Sequence, residues 1–183
     1  MCTLDEHTSS ITYVRMSYLK ESKRLVLISC SSDRSIIFRE CDRDQTKKKM
    51  FSIYHQEVEK SHKFLSMELR LSTLYVGLDK KVNLYSIETG KLKNSWESRD
   101  DHQIKSLDNM KLALDCSGTY LAVYNSDKVV RVRDSHNNVV ARLRQGDTLT
   151  GMLFNKYFIT TGYDGCIFVW RLSQDVRTHI ERK

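Results

Sequence analysis

The chain has no proline and only seven glycines among its 183 residues. Without proline there is no P-x-x-P ligand and no proline-rich linker, so composition marks no domain boundary. The sequence reads as one continuous architecture. The five cysteines (Cys2, Cys30, Cys41, Cys116 and Cys166) are odd in number, widely spaced and free of any C-x-x-C pair. Neither a disulfide framework nor a zinc site is expected from them. Those in or beside strands should behave as small buried hydrophobes, and free thiols fit the cytosol or nucleus. No apolar run approaches the ~18 residues of a membrane span. The opening residues 1–6 lack a basic start and an apolar stretch, so no secretory signal is expected. The six histidines show no H-E-x-x-H or other metal spacing, and the glycines form no phosphate-cradling loop. No metal and no cofactor are therefore expected.

What is present is an ordinary apolar fraction, 40%, and high charge of mixed sign with a net +7. That is enough chain for one domain with a real core. Part of the positive excess clusters at Lys47-Lys48-Lys49. Such a cluster reads as a solvated loop between strands or as a contact for an anionic partner. No aromatic residues interleave with it, as single-strand binding grooves usually need.

The most regular stretch lies near the C-terminus. Tyr157–Thr161 is a short apolar strand, Tyr163-Asp164-Gly165 a tight turn, and Cys166–Leu172 a second strand. The second strand alternates, with Ile167 and Val169 on one face and Phe168 and Trp170 on the other. An Asp-Gly turn between β-rich runs signals a hairpin, because glycine tolerates the positive φ such turns need.

This hairpin repeats. Aligning Asp33, Asp79, Asp127 and Asp164 gives intervals of 46, 48 and 37 residues, bracketing the ~40–45 of a four-stranded propeller blade. Three residues after each Asp stands Ile36, Val82, Val130 or Ile167, and five after it Phe38, Leu84, Val132 or Val169. Each such pair shares one strand face. Six residues on come Arg39, Tyr85, Arg133 and Trp170, of which only Trp170 is the residue typical of a WD repeat. Strands are expected before each Asp at Leu25–Cys30, Thr73–Leu78, Thr119–Tyr124 and Tyr157–Thr161. Their outer or inner neighbours are Ile11–Met16, Phe64–Leu69, Leu107–Asp115 and Thr148–Phe154. More polar fourth strands follow at Phe51–His55, Lys91–Trp96 and Val139–Arg144. Glu88-Thr89-Gly90 and Asp115-Cys116-Ser117-Gly118 read as turns. Met1–Leu4 reads as the tail of a preceding fourth strand.

The expected fold is all-β, a partial WD-repeat β-propeller of about four blades of four antiparallel strands over residues 1–172. The units run approximately over 5–55, 56–100, 101–145 and 146–172, with a polar tail at 173–183. An incomplete ring leaves blade faces open. At about 500 Å² each, covering one is worth on the order of 10 kcal/mol. The chain is therefore expected to be a piece of a longer array, or to complete its ring with another copy or chain, although neighbour stacking can hold an open arc.

Four stretches carry a more specific likeness: LDEHTSSITYVRM (4–16), LISCSSDRSIIFR (27–39), LALDCSGTYLAVYNSDK (112–128) and TGYDGCIFVWRL (161–172). They resemble the WD-repeat family of the mitogen-activated protein kinase-binding protein and its microcephaly-associated spindle-pole relative. The resemblance implies an intracellular scaffold of c-Jun N-terminal kinase signalling or of centrosomes and spindle poles, in the cytoplasm or on the cytoskeleton. It also implies that these units are the C-terminal blades of a longer propeller. Activities located in the long C-terminal region of family members do not carry over.

WD blades often hold a buried chain of His, Ser or Thr, Asp and Trp. The residues that match it here are His7, Ser29 and Asp33 in the first unit, with Arg39 in place of Trp. The second keeps Asp79, with His62 a distant candidate. The third has His102 and Asp127, with Val123 at the hydroxyl position. The fourth has Thr160, Asp164 and Trp170, with Gly146-Asp147 where Gly-His is expected. These are read as structural. His7, Ser29 and Asp33 have the residue types of a nucleophile triad, yet no G-x-S-x-G elbow surrounds the serine. No catalytic role is assigned. Arg34, Lys80, Lys128 and Tyr163 flank the Asp positions and are expected on a rim that meets protein partners. The alternative is a basic propeller that binds RNA, DNA or another polyanion, marked by steep salt dependence.

Overall fold

In the computed structural model the described residues are 3–41, 50–98, 109–155 and 157–172. They form fifteen strands in four antiparallel sheets, with no helix among them. The chain divides into two compact units, Met1–Glu97 and Ser98–Lys183.

The first unit holds two sheets of four strands each, in chain order. One comprises β1 (Ile11–Leu19), β2 (Arg24–Ser31), β3 (Ser35–Cys41) and β4 (Phe51–Val58). The other comprises β5 (Phe64–Arg70), β6 (Thr73–Leu78), β7 (Lys81–Ser86) and β8 (Leu92–Glu97). Sequential hairpins need only local connections, which is why each strand pairs with its chain neighbour. The shared core takes Val26, Ile28, Ile36 and Phe38 from the first sheet, and Leu74, Val76, Tyr85 and Ile87 from the second. The two sheets present opposite faces to it, Asp+3/+5 from the first and Asp+6/+8 from the second.

Gly90 shows how closely these sheets approach. Its φ is +72°, and a Cβ there would stand 2.4 Å from the His55 ring. Two bonds reinforce the contact: the Tyr54 hydroxyl donates to the Ile87 carbonyl, and Arg24 Nη2 donates to the Glu88 carbonyl at 3.0 Å.

The second unit pairs β9 (Lys111–Leu114), β10 (Leu121–Tyr124), β11 (Val129–Arg133) and β12 (Val139–Arg144) in one sheet. β13 (Leu149–Phe154), β14 (Phe158–Gly162) and β15 (Ile167–Trp170) form the other, three strands among the described residues. Its core joins Ala122, Tyr124, Val130 and Val132 to Leu149, Phe154, Phe158 and Leu172. The Tyr124 hydroxyl accepts the Leu149 N–H at 3.0 Å across the two sheets.

The Asp-Gly hairpin is as the sequence indicates: Gly165 has φ +73°, and Asp164 Oδ1 accepts the Cys166 N–H at 3.0 Å. Ile167 and Val169 are exposed, while Phe168 and Trp170 stack with ring centroids 5.8 Å apart. The 115–118 turn also forms, capped by Asp115, which is buried.

Several expectations are corrected. Ser29 pairs with Ile37, eight residues on, whereas Val76 pairs with Asn83, seven on. The second sheet's turn is therefore one residue tighter, and alignment on Asp79 displaces the preceding strand by one position. Residues 111–114, not 107–115, form β9 within the described chain, and Thr3 and Leu4 are not in a strand. Cys30 is buried, and burial pushes its thiol pKa well up. Cys116 and Cys166 are exposed rather than buried, the first lying in a turn and the second between a turn and β15. The Lys47–Lys49 cluster and the 173–183 tail lie outside the described residues.

Candidate functional site

Beneath the Asp33 turn two side chains, His7 and Arg39, converge on the buried Ser29 hydroxyl. His7 Nε2 lies 2.7 Å from Ser29 Oγ, and its Nδ1 lies 3.1 Å from Asp33 Oδ2 and 2.9 Å from Ser35 Oγ. Arg39 Nη1 donates to the same Ser29 Oγ at 2.7 Å, and its Nη2 donates to Glu6 at 2.9 Å. One proton arrangement satisfies the set: Nδ1–H donates to Asp33, the Ser29 hydroxyl donates to Nε2, and Ser29 oxygen accepts from Arg39. Partial burial works against the Asp33 charge. Bonds from the Ser35 hydroxyl, the Thr8 and Ser35 N–H groups and His7 outweigh that effect and hold its pKa below the usual carboxylate range. Arg39 thus fills the place of Trp with a guanidinium, whose charge Glu6 neutralises at 34% exposure.

The fourth sheet solves the same problem with different residues. Trp170 Nε1 donates to Thr160 Oγ1 at 2.8 Å, and Gln145 Nε2 donates to it at 2.7 Å. Gln145, not Gly146 or Asp147, stands where His7 stands. It sits four residues before β13, as His7 sits four before β1. That spacing was the available signal, masked by the absence of a histidine. Asp147 instead accepts the Thr148 N–H and Lys128 Nζ, and these bonds lower its pKa.

In the second sheet His62 is no distant candidate: its Nδ1 bonds directly to Asp79 Oδ1. The hydroxyl member is missing, and Asn83 donates to the Tyr85 hydroxyl at 3.0 Å instead. In the third, Asp127 pairs with Arg131 Nη2 at 2.8 Å. His102 lies outside the described residues.

The rim positions differ in their engagement. Arg34 and Lys128 adopt φ of 65° and 59°, the left-handed place that Gly165 fills in the fourth sheet. Arg34 Nη1 donates to the Lys60 carbonyl at 3.0 Å, and Lys128 bonds Asp147 at 3.1 Å. Both tie their turn to the loop that enters the next sheet. Tyr163 is 75% exposed. Lys80 is exposed too, without left-handed φ, because its turn is the tighter one.

No group of three or more His, Cys, Asp or Glu able to hold a metal exists among the described residues.

No family model matches the chain. It is 31% identical over 187 aligned residues to human mitogen-activated protein kinase-binding protein 1, covering 99% of this chain. It is 30% identical to WD repeat-containing protein 62 of Sus scrofa over 95% of the chain. The chain spans only 12% and 11% of those two relatives' lengths. Among solved structures, the fold matches U3-55K with a TM-score of 0.69 at 18% identity, over 92% of this chain and 51% of that one. It also matches the RRP9 WD40 repeats with a TM-score of 0.68 at 18% identity, over 92% and 50%. A chain of polycomb repressive complex 2 gives a TM-score of 0.73 at 14% identity, over 93% of this chain and 39% of that one. With four antiparallel sheets in chain order, a His/Ser/Asp network under the first turn and these relatives, the chain belongs to the WD-repeat β-propeller family.

Proposed function

We propose that this chain is a non-enzymatic part of a protein-interaction scaffold, in which stacked blades hold loops for partner proteins. One observation carries the reading. The triad-type constellation under the Asp33 turn has a Ser29 oxygen that is buried and already accepts the Arg39 guanidinium. A nucleophile needs an open approach, and the buried Ser29 oxygen, held between His7 and Arg39, has none. Its polar groups hold turns, and the turns display side chains such as Tyr163.

The kinase-signalling or spindle-pole role, in the cytoplasm or at the centrosome, rests on the likeness to the relatives named above. In this reading partners are met by Arg34 and Lys80 of one unit and by Lys128 and Tyr163 of the other. It is tested by titrating purified c-Jun N-terminal kinase, and separately a spindle-pole extract fraction, against the 183-residue chain and a variant with all four rim residues changed to Ala. Saturable binding that the variant loses, with its melting profile retained, supports the reading. Binding to neither, or binding indifferent to the rim, contradicts it. Steeply salt-dependent capture of RNA would instead favour the polyanion alternative.

A further inference from the structure

At the opposite end of the first unit from the Asp33 and Asp79 turns lies a groove of about 370 Å³. It is walled by the end of β1 (Tyr18, Leu19), Glu21 of the β1–β2 turn, Leu71 and Ser72 of the β5–β6 turn, and Glu88 beyond β7. Its volume is within the range of sites that hold a ligand group, at the small end.

Leu71 is the feature that the fold does not explain. Arg70 pairs with Thr73, so Leu71-Ser72 is a two-residue hairpin turn, and Leu71 has φ 51°. Glycine, asparagine or aspartate serves such a position, whereas a branched apolar side chain is strained there. The strain secures no packing, because Leu71 is 77% exposed. Tyr18, beside it in the groove, is 48% exposed, over a floor formed by buried Leu19. Strain kept at an exposed apolar tip points to a ligand.

The walls are fixed in place. Ser72 carbonyl accepts the Ile87 N–H at 3.0 Å, Ile87 carbonyl accepts the Tyr54 hydroxyl, and Glu88 carbonyl accepts Arg24. Arg24 is also paired with Glu40 at 3.1 Å, so its charge is met outside the groove. Two carboxylates, Glu21 and Glu88, and one lysine, Lys20, line the groove. On a chain of net +7 this is a locally acidic, partly apolar slot.

We propose that this groove docks an extended peptide segment of a partner protein, seating one apolar side chain against Leu71 and Tyr18 and a neighbouring Lys or Arg at Glu21 and Glu88. This rests on the reading of the chain as a protein-binding scaffold but uses the end away from the rim. The probe is a fluorescein-labelled octapeptide of Gly and Ser carrying one Leu and, two residues on, one Arg. A second probe has Glu in place of the Arg.

Fluorescence anisotropy with the whole chain should show saturable binding of the first probe and little of the second. Leu71→Gly should weaken binding about tenfold or more, while its unfolding midpoint holds or rises because the strain is gone. Glu88→Lys should weaken the Arg probe and strengthen the Glu probe. No binding at millimolar chain, equal binding by the variants, or a lowered midpoint in Leu71→Gly would overturn the proposal. Loss of rim-dependent binding leaves this outcome untouched, so the two readings fail separately.

Discussion

Ser29 holds two neighbours at once, His7 through Nε2 and Arg39 through Nη1. Removing its oxygen leaves both short of a bond, and unmet buried polar groups cost about 1–3 kcal/mol, more when charged. Ser29→Ala should therefore lower stability by about 2–3 kcal/mol in urea unfolding. Thr160→Val should cost less, about 1–2 kcal/mol, since its two donors, Trp170 and Gln145, are neutral. The histidine, serine and aspartate of the first network were legible as types at a spacing. The arginine's role was not, because sequence shows an exception to the Trp position without showing that Nη1 reaches the same hydroxyl. Asp33 gives the pH dependence. Its folded pKa lies below its unfolded one, so its contribution is present above about pH 4 and is lost as pH falls further. Asp33→Asn should flatten the loss of stability between about pH 4 and pH 2. A chemical-unfolding series across that range checks the slope.

Turns separate what spacing can reveal from what it cannot. Gly90 and Gly165 both have positive φ, +72° and +73°. A Cβ at Gly165 meets nothing within 4 Å, whereas one at Gly90 runs into His55 at 2.4 Å. Gly165→Ala should thus cost only the backbone term, about 1 kcal/mol. Gly90→Ala adds displacement of a packed ring and should cost about 2–4 kcal/mol. Thermal unfolding of the two variants side by side tests the difference. The Asp-Gly hairpin was readable from sequence because its turn chemistry is local. The tighter turn at Asp79 was not, since one residue fewer between Val76 and Asn83 leaves the apolar alternation intact. Gln145 escaped for a related reason: the donor it supplies is set by geometry, and a glutamine before a glycine carries no signature of its own.

At the scale of the whole chain, the repeat of Asp turns and apolar alternation made the sheets legible, because each four-stranded unit closes its own local contacts. Which faces would be covered was less so, since that depends on neighbours. The β13–β15 sheet turns Leu153, Ile167 and Val169 outward at 60%, 71% and 65% exposure, with Leu153, Ile159 and Val169 in one cross-strand row. The equivalent residues of the β9–β12 sheet, Val130 and Val132, are fully buried against its neighbour. Each such side chain gains about 1.5–3 kcal/mol on leaving water, so a second copy of the chain is expected to cover the face when no other blade does. An uncovered blade face should drive self-association, and solution mass across concentration reads that out. The mass of the wild-type chain should rise with concentration, while Ile167→Lys combined with Val169→Lys should give a folded monomer at every concentration. A wild-type chain that stays monomeric throughout, with the same cooperative unfolding as the double variant, would contradict it.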